Sequence, residues 1–151
     1  MRETKHLLIP GDFPAIKRDN TDVLQINLGY RCNQSCSHCH VNAGPTRTEM
    51  MSDETMATIF DLISSRRFKL LDLTGGAPEL HPRFQALVLH AKQYQLKVRD
   101  RCNLTVLLEP QQDDLAAFLA AQDVEIVASL PCYSQENVDL QRGKGVFSDS
   151  I

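Results

Sequence analysis

The chain has 151 residues, 42% of them apolar and 23% charged, which gives room for one domain with a real core and excludes a disordered polymer. Its 16 Lys+Arg against 19 Asp+Glu leave a formal net charge of -3, so no global basic field draws it to nucleic acid or anionic lipid, and neither is expected as a partner. The stretch Leu7-Leu8-Ile9-Pro10 is too short for a secretory signal and no apolar run approaches a membrane span, so a cytoplasmic location is expected.

Residues 1–21 mix charge with Pro10, Gly11 and Pro14 and read as an extended N-terminal arm ahead of a core domain over 22–151. Residues 22–28 alternate apolar and polar side chains up to Gly29, the pattern of a strand with one buried face. A loop then carries Cys32, Cys36 and Cys39. Ser52, followed by Asp53 and Glu54, caps a helix to about Arg66 with Met56, Ile59, Phe60 and Ile63 on one face. Residues 68–73 form a second strand running into Thr74-Gly75-Gly76-Ala77-Pro78-Glu79, and Pro82 opens a second helix bearing Phe84, Leu87, Val88 and Ala91. Residues 97–100 read as a weaker third strand, followed by the short stretch 102–106. Asp113 and Asp114 lead a third helix with Leu115, Phe118 and Leu119, and residues 124–129 make a fourth strand. Strands alternating with helices require crossovers, so an α/β fold with a parallel sheet is expected, its functional loops at the C-terminal ends of the strands. After Pro131-Cys132-Tyr133 the sequence turns polar and shows no obvious closing helix, so the chain reads as cut off at its C-terminal side.

Five cysteines in a chain with no secretory segment argue against a disulfide framework. Cys32-x-x-x-Cys36-x-x-Cys39 wraps three soft donors around one centre, and thiolates suit zinc, copper(I) and iron–sulfur clusters alike. Zinc needs a fourth ligand, for which His38, His40 or a distant cysteine would serve. An iron–sulfur cubane held by three cysteines leaves one iron open to substrate.

The cysteine spacing just beyond the first strand of a β-α repeat resembles the signature of the radical S-adenosylmethionine (radical SAM) enzymes. On that resemblance Cys32, Cys36 and Cys39 hold a 4Fe-4S cluster and are catalytic through it. His38 stands where the family usually carries an aromatic residue near the adenine. Thr74-Gly75-Gly76-Ala77 is similar to the Gly-Gly-Glu-Pro segment that holds the methionine amino group, with Ala77 replacing the Glu and Glu79 two residues on. Asn103, Ser129 and Arg142 look like positions that contact the cofactor's ribose and carboxylate. The fold implied is a partial (β/α)6 barrel with about four β-α units present. The physical readings stand beside these. A Gly-Gly turn is often only a turn, an Asn after a strand tolerates turn geometry, and a Ser satisfies local backbone. An Arg, by contrast, offers a planar fork to a carboxylate.

The run 39–45 (Cys-His-Val-Asn-Ala-Gly-Pro), with 101–106 and 129–133, is similar to the arsenosugar biosynthesis radical SAM proteins. This implies reductive cleavage of S-adenosylmethionine with transfer of the 5′-deoxyadenosyl group to a dimethylated trivalent arsenic compound. It also implies a small-molecule substrate and an electron donor such as a flavodoxin or ferredoxin. Cys102 and Cys132, past strand ends, are candidate substrate thiols or small buried hydrophobes, and His40 and His81 stay open. The alternatives are another radical SAM reaction on an organic or peptide substrate, or a non-catalytic zinc module.

Overall fold

The computed structural model describes residues 20–151, so most of the arm read over 1–21 lies outside the described residues. Strands β1 (Val23–Asn27), β2 (Leu70–Thr74), β3 (Lys97–Asp100) and β4 (Glu125–Ile126) form one sheet in that order, every neighbouring pair parallel. Helices α1 (Asp53–Ser65), α2 (Phe84–Gln93) and α3 (Leu115–Ala121) make the crossovers, and α4 (Gln135–Arg142) and α5 (Val146–Ser150) follow β4. The expected parallel α/β architecture is present, consistent with a partial barrel of four β-α units.

Local chemistry explains the boundaries. The Ser52 hydroxyl accepts from the Thr55 N–H at 3.2 Å, with Asp53 and Glu54 in the first turn of α1. Helix α2 starts at Phe84, two residues later than Pro82 predicts. Pro78–Leu80 forms a separate 3-10 turn, and the Phe84 N–H bonds the His81 carbonyl at 2.9 Å. The fourth strand is regular only over Glu125–Ile126, not 124–129. Beyond it the Val127 and Ser129 N–H groups still bond the carbonyls of Asp100 and Cys102 at 2.8 Å each, so the chain stays beside the exit of β3 without regular strand geometry. The polar stretch after Tyr133, which showed no closing helix, contains α4 and α5. Only Val138 and Arg142 of α4 are buried, too few to print a helical period.

Strand alternation sorts the two faces of the sheet. Ile26, Leu71, Leu73 and Val98 face the helices and pack with Met56, Ile63, Phe84, Leu87 and Leu115 into one apolar core. The other face is polar: Gln25, Asp72 and Arg99 lie side by side in register. There the Gln25 amide donates to Asp72 at 3.0 Å, and Arg101 grips the same carboxylate with two bonds of 2.9 and 2.8 Å.

Candidate functional site

The cysteine loop leaves β1 through Gly29, whose φ is +138° and whose absent Cβ would meet the Glu49 carbonyl oxygen at 2.5 Å. Only glycine fits there. Bridges from Gly29 to Met50 and from Arg31 to Gly44 then close the loop on itself. The loop after β2 is seated on it by main chain alone: the Gly76 and Ala77 N–H groups donate to the Gly29 and Arg31 carbonyls, both at 2.9 Å. A Cβ on Gly76 would collide with the Arg31 carbonyl, and one on Gly75 would meet the Gly29 oxygen at 2.7 Å.

These loops and the segments after β3 and β4 enclose a cavity of about 460 Å3 over the C-terminal ends of the strands. Cys32, Cys36, Cys39, His38, Thr74, Gly75, Gly76, Asn103, Ser129 and Arg142 all line it, and so does His40. Ala77 is buried directly behind, packed with Cys32. A larger groove of about 960 Å3 lies at the opposite end of the sheet, lined by Arg66, Lys69, Lys97 and Tyr94 and by no cysteine.

Two of the three sulfurs already receive an N–H group. Cys32 is buried and Cys36 and Cys39 are partly so. The Asn103 amide donates to Cys32 Sγ at 3.5 Å, and the Ala43 N–H donates to Cys39 Sγ at 3.3 Å. Burial pushes the Cys32 and Cys36 thiols up, and the Arg142 charge offsets part of that at Cys36. Arg142 is 6% exposed, donates to the Ser129 hydroxyl at 2.7 Å, and leaves Nε and Nη1 buried with no partner. Arg142 lines the cavity, and a buried guanidinium with two unpartnered nitrogens suits an anion. Asn103 is more heavily used than its sequence position implied: its amide also donates to the Asn33 side-chain Oδ1 at 2.7 Å.

Two wall residues escaped the sequence reading. Gln34 is buried, donates to Thr105 at 2.6 Å and accepts from the Cys36 thiol at 3.5 Å, and Arg101 brings its Asp72-bound guanidinium to the cavity rim. Gln34 lies inside the cysteine spacing and was the more visible of the two. The other flagged residues fall elsewhere. Cys102 is fully buried outside the wall, with the Leu104 N–H on its sulfur at 3.2 Å and Leu104 itself at φ +68°. Cys132 sits before α4, where the Ser134 N–H and hydroxyl hold its thiol below the usual range. His81 is a structural tie, its Nε2 against the Met51 carbonyl at 3.1 Å and its Nδ1 accepting the Arg83 N–H.

Comparison with known proteins decides the family, because the radical SAM superfamily model matches residues 26–148. The chain belongs to the radical SAM superfamily. It is 30% identical over 125 residues to a mycofactocin maturase from Mycolicibacterium smegmatis, covering 82% of this chain and 31% of that protein. It is 25% identical over 124 residues to the antilisterial bacteriocin subtilosin biosynthesis protein of Bacillus subtilis, covering 82% and 27%. A GTP 3′,8-cyclase from Chlorobaculum tepidum is 30% identical over 71 residues, covering 47% and 22%. The chain thus spans about a third of the length of the first of these relatives. Radical SAM membership implies an iron–sulfur cluster, S-adenosylmethionine and an electron donor. No helix among the described residues is long and apolar enough to cross a membrane.

Proposed function

We propose that this radical SAM chain holds a 4Fe-4S cluster on Cys32, Cys36 and Cys39 and binds S-adenosylmethionine in the adjoining cavity. The observation that carries the reading is the joint placement of three thiols and an unpartnered buried Arg142 on one cavity wall. The donor set fits: thiolates suit iron, N–H groups already point at two sulfurs, and three cysteines leave one cluster position for a ligand. Together the bound cluster and cofactor supply reductive cleavage of the sulfonium.

The chain's own part is to bind, orient and exclude water. Arg142, steadied by Ser129, receives the cofactor carboxylate. The backbone of Thr74, Gly75, Gly76 and Ala77 flanks its amino group, His38 borders the adenine, and Asn103 turns an edge to the ribose while holding Cys32. An electron donor such as a flavodoxin or ferredoxin reaches the exposed rim around Ser37 and His38.

For the substrate we put first the transfer of the 5′-deoxyadenosyl group to a dimethylated trivalent arsenic compound. That reading rests on the run 39–45 and its companions at 101–106 and 129–133. A second reading, modification of a peptide, is favoured by the relatives named for mycofactocin and subtilosin; none of the three relatives above carries a name that refers to arsenic.

Anoxic reconstitution with iron and sulfide tests the site. The broad visible absorption of a cluster is expected in the wild type and is absent when Cys32, Cys36 and Cys39 are all alanine; its survival in that variant overturns the assignment. Mass spectrometry of the products then separates the substrates. An adenosylated arsenical supports the first reading, and free 5′-deoxyadenosine with an altered peptide supports the second.

A further inference from the structure

Behind the cysteine loop lies a group of acids that the cofactor site does not use. Asp100 and Cys102 are 0% exposed and Glu79 is 4% exposed, and one ligand atom of each lies within 4.8 Å of the others. Asp100 ends β3 on the side of the sheet that faces the helices, where Val98 and Leu73 are its apolar neighbours. None of the four carboxylate oxygens of Glu79 and Asp100 meets a donor at full hydrogen-bond geometry, and no Lys, Arg or His among the described residues serves either. The groups that act on the pair are each other, Cys102 and the main-chain N–H of Glu79 itself.

Two ionised carboxylates do not persist side by side in such a place; a proton or a cation must join them. A metal ion fits poorly, because only three donors converge and a closed structural site takes four. A proton fits better. An Asp100 O–H directed at Glu79, the Cys102 S–H directed at the same carboxylate, and the Leu104 N–H on Cys102 Sγ at 3.2 Å form one connected chain. Burial and mutual repulsion both push the pair to hold its proton above the usual carboxylate range.

We propose that Glu79 and Asp100 hold one proton between them and form, with the Cys102 thiol, a buried buttress behind Cys32 that carries one negative charge and lowers the reduction potential of the cluster. The proposal rests on the cluster reading above. Cys102 and Ala77 pack in one cluster with Cys32, and the Glu79 charge reaches that thiol and pushes it up. A fixed negative charge beside an iron–sulfur centre disfavours the added electron. Glu79 and Asp100 are positioning residues here, since neither lines the cavity.

The test is an EPR-monitored redox titration of the reconstituted protein as wild type, Asp100→Asn, Glu79→Gln and the double variant. Each single variant keeps one ionised carboxylate and is expected to titrate with the wild type, whereas the double variant removes the charge and reduces at a higher potential. Single variants that each shift about half as far as the double show two charges, and a double variant that does not shift shows none; either overturns the proposal. Thermal melts need no cluster. The unfolded chain releases its carboxyl protons at about pH 4 while the folded pair keeps one. The pair's contribution to wild-type stability is therefore greatest below that range and falls as pH rises toward the folded pair's value, and Asp100→Asn removes that fall from the profile. Equal slopes in the two proteins refute the shared proton. An extra equivalent of zinc or iron, lost in both single variants, assigns the site to a metal instead. A wild type that takes up no cluster overturns the tuning role together with the cluster reading, and the melts still decide the proton.

Discussion

At the scale of single residues, Arg142 shows how much chemistry hangs on one missing partner. Its Nη2 is fixed by Ser129, its aliphatic stem is buried in α4, and its other nitrogens have no acceptor. Leaving a buried charged donor unsatisfied costs about 1–3 kcal/mol or more, so the position is held in readiness for an anion. Arg142→Lys keeps the charge but loses the fork, and a hydrogen bond to a charged group contributes about 1.5–3 kcal/mol. The expected outcome is a weakening of S-adenosylmethionine binding by about tenfold or more, read by equilibrium dialysis on the reconstituted protein with cluster absorption unchanged. Equal affinity in the variant would place the carboxylate elsewhere. Residues of this kind were partly legible in the sequence. The cysteines announce themselves by spacing, and Arg142 and Ser129 by resemblance. Gln34, Arg101 and Asp100 do not, because what makes each of them matter is a partner 29 residues away or more, as with Arg101 and Asp72 or Gln34 and Thr105, or an apolar wall assembled by the fold.

At the scale of elements, the two loops that carry the site are joined by backbone. Gly76 and Ala77 hang from the carbonyls of Gly29 and Arg31, so the cysteine loop and the turn after β2 hold one relation to each other whatever side chains surround them. Gly76→Ala puts a methyl group onto the Arg31 carbonyl, and neither partner is a flexible side chain. Overpacking of that sort costs about 1–3 kcal/mol. A lowered urea midpoint is expected, together with incomplete iron uptake, while Gly44→Ala, whose Cβ would make only ordinary contacts at 3.8 and 3.9 Å, leaves iron uptake intact. Elements were read from the sequence where an apolar period met a cap, as in α1, or where β-branched and apolar residues alternated, as in β1. α4 was missed and β4 was read longer than it is, for one reason: their apolar faces are nearly empty. Glu125 and Ile126 are both exposed, and α4 buries only Val138 and Arg142, so main-chain bonds to β3 and a cavity contact define them.

At the scale of the whole molecule, pH acts on the sheet's polar face. The Asp72 carboxyl is held below the usual range, chiefly by Arg101, with Gln25 assisting. A depressed folded value contributes stability above the unfolded value near pH 4, which is lost as pH falls through the folded one. Asp72→Asn should therefore lose stability at neutral pH yet unfold less steeply with acid than the wild type, in melts taken between about pH 2 and 6. Coincident acid limbs would show that the Asp72–Arg101 pair contributes nothing measurable. The polar face has one more consequence. Most parallel sheets are apolar on both sides, but here Gln25, Asp72 and Arg101 form a polar floor, of which Arg101 reaches the rim of the cavity that holds the cysteines. A greasy molecule crossing that floor would strip water from an ion pair and be repaid nothing, whereas a small hydrophilic one could borrow the pair's remaining hydrogen bonds. At the Arg101 end of the cavity a ligand therefore keeps its own water or replaces it with polar groups.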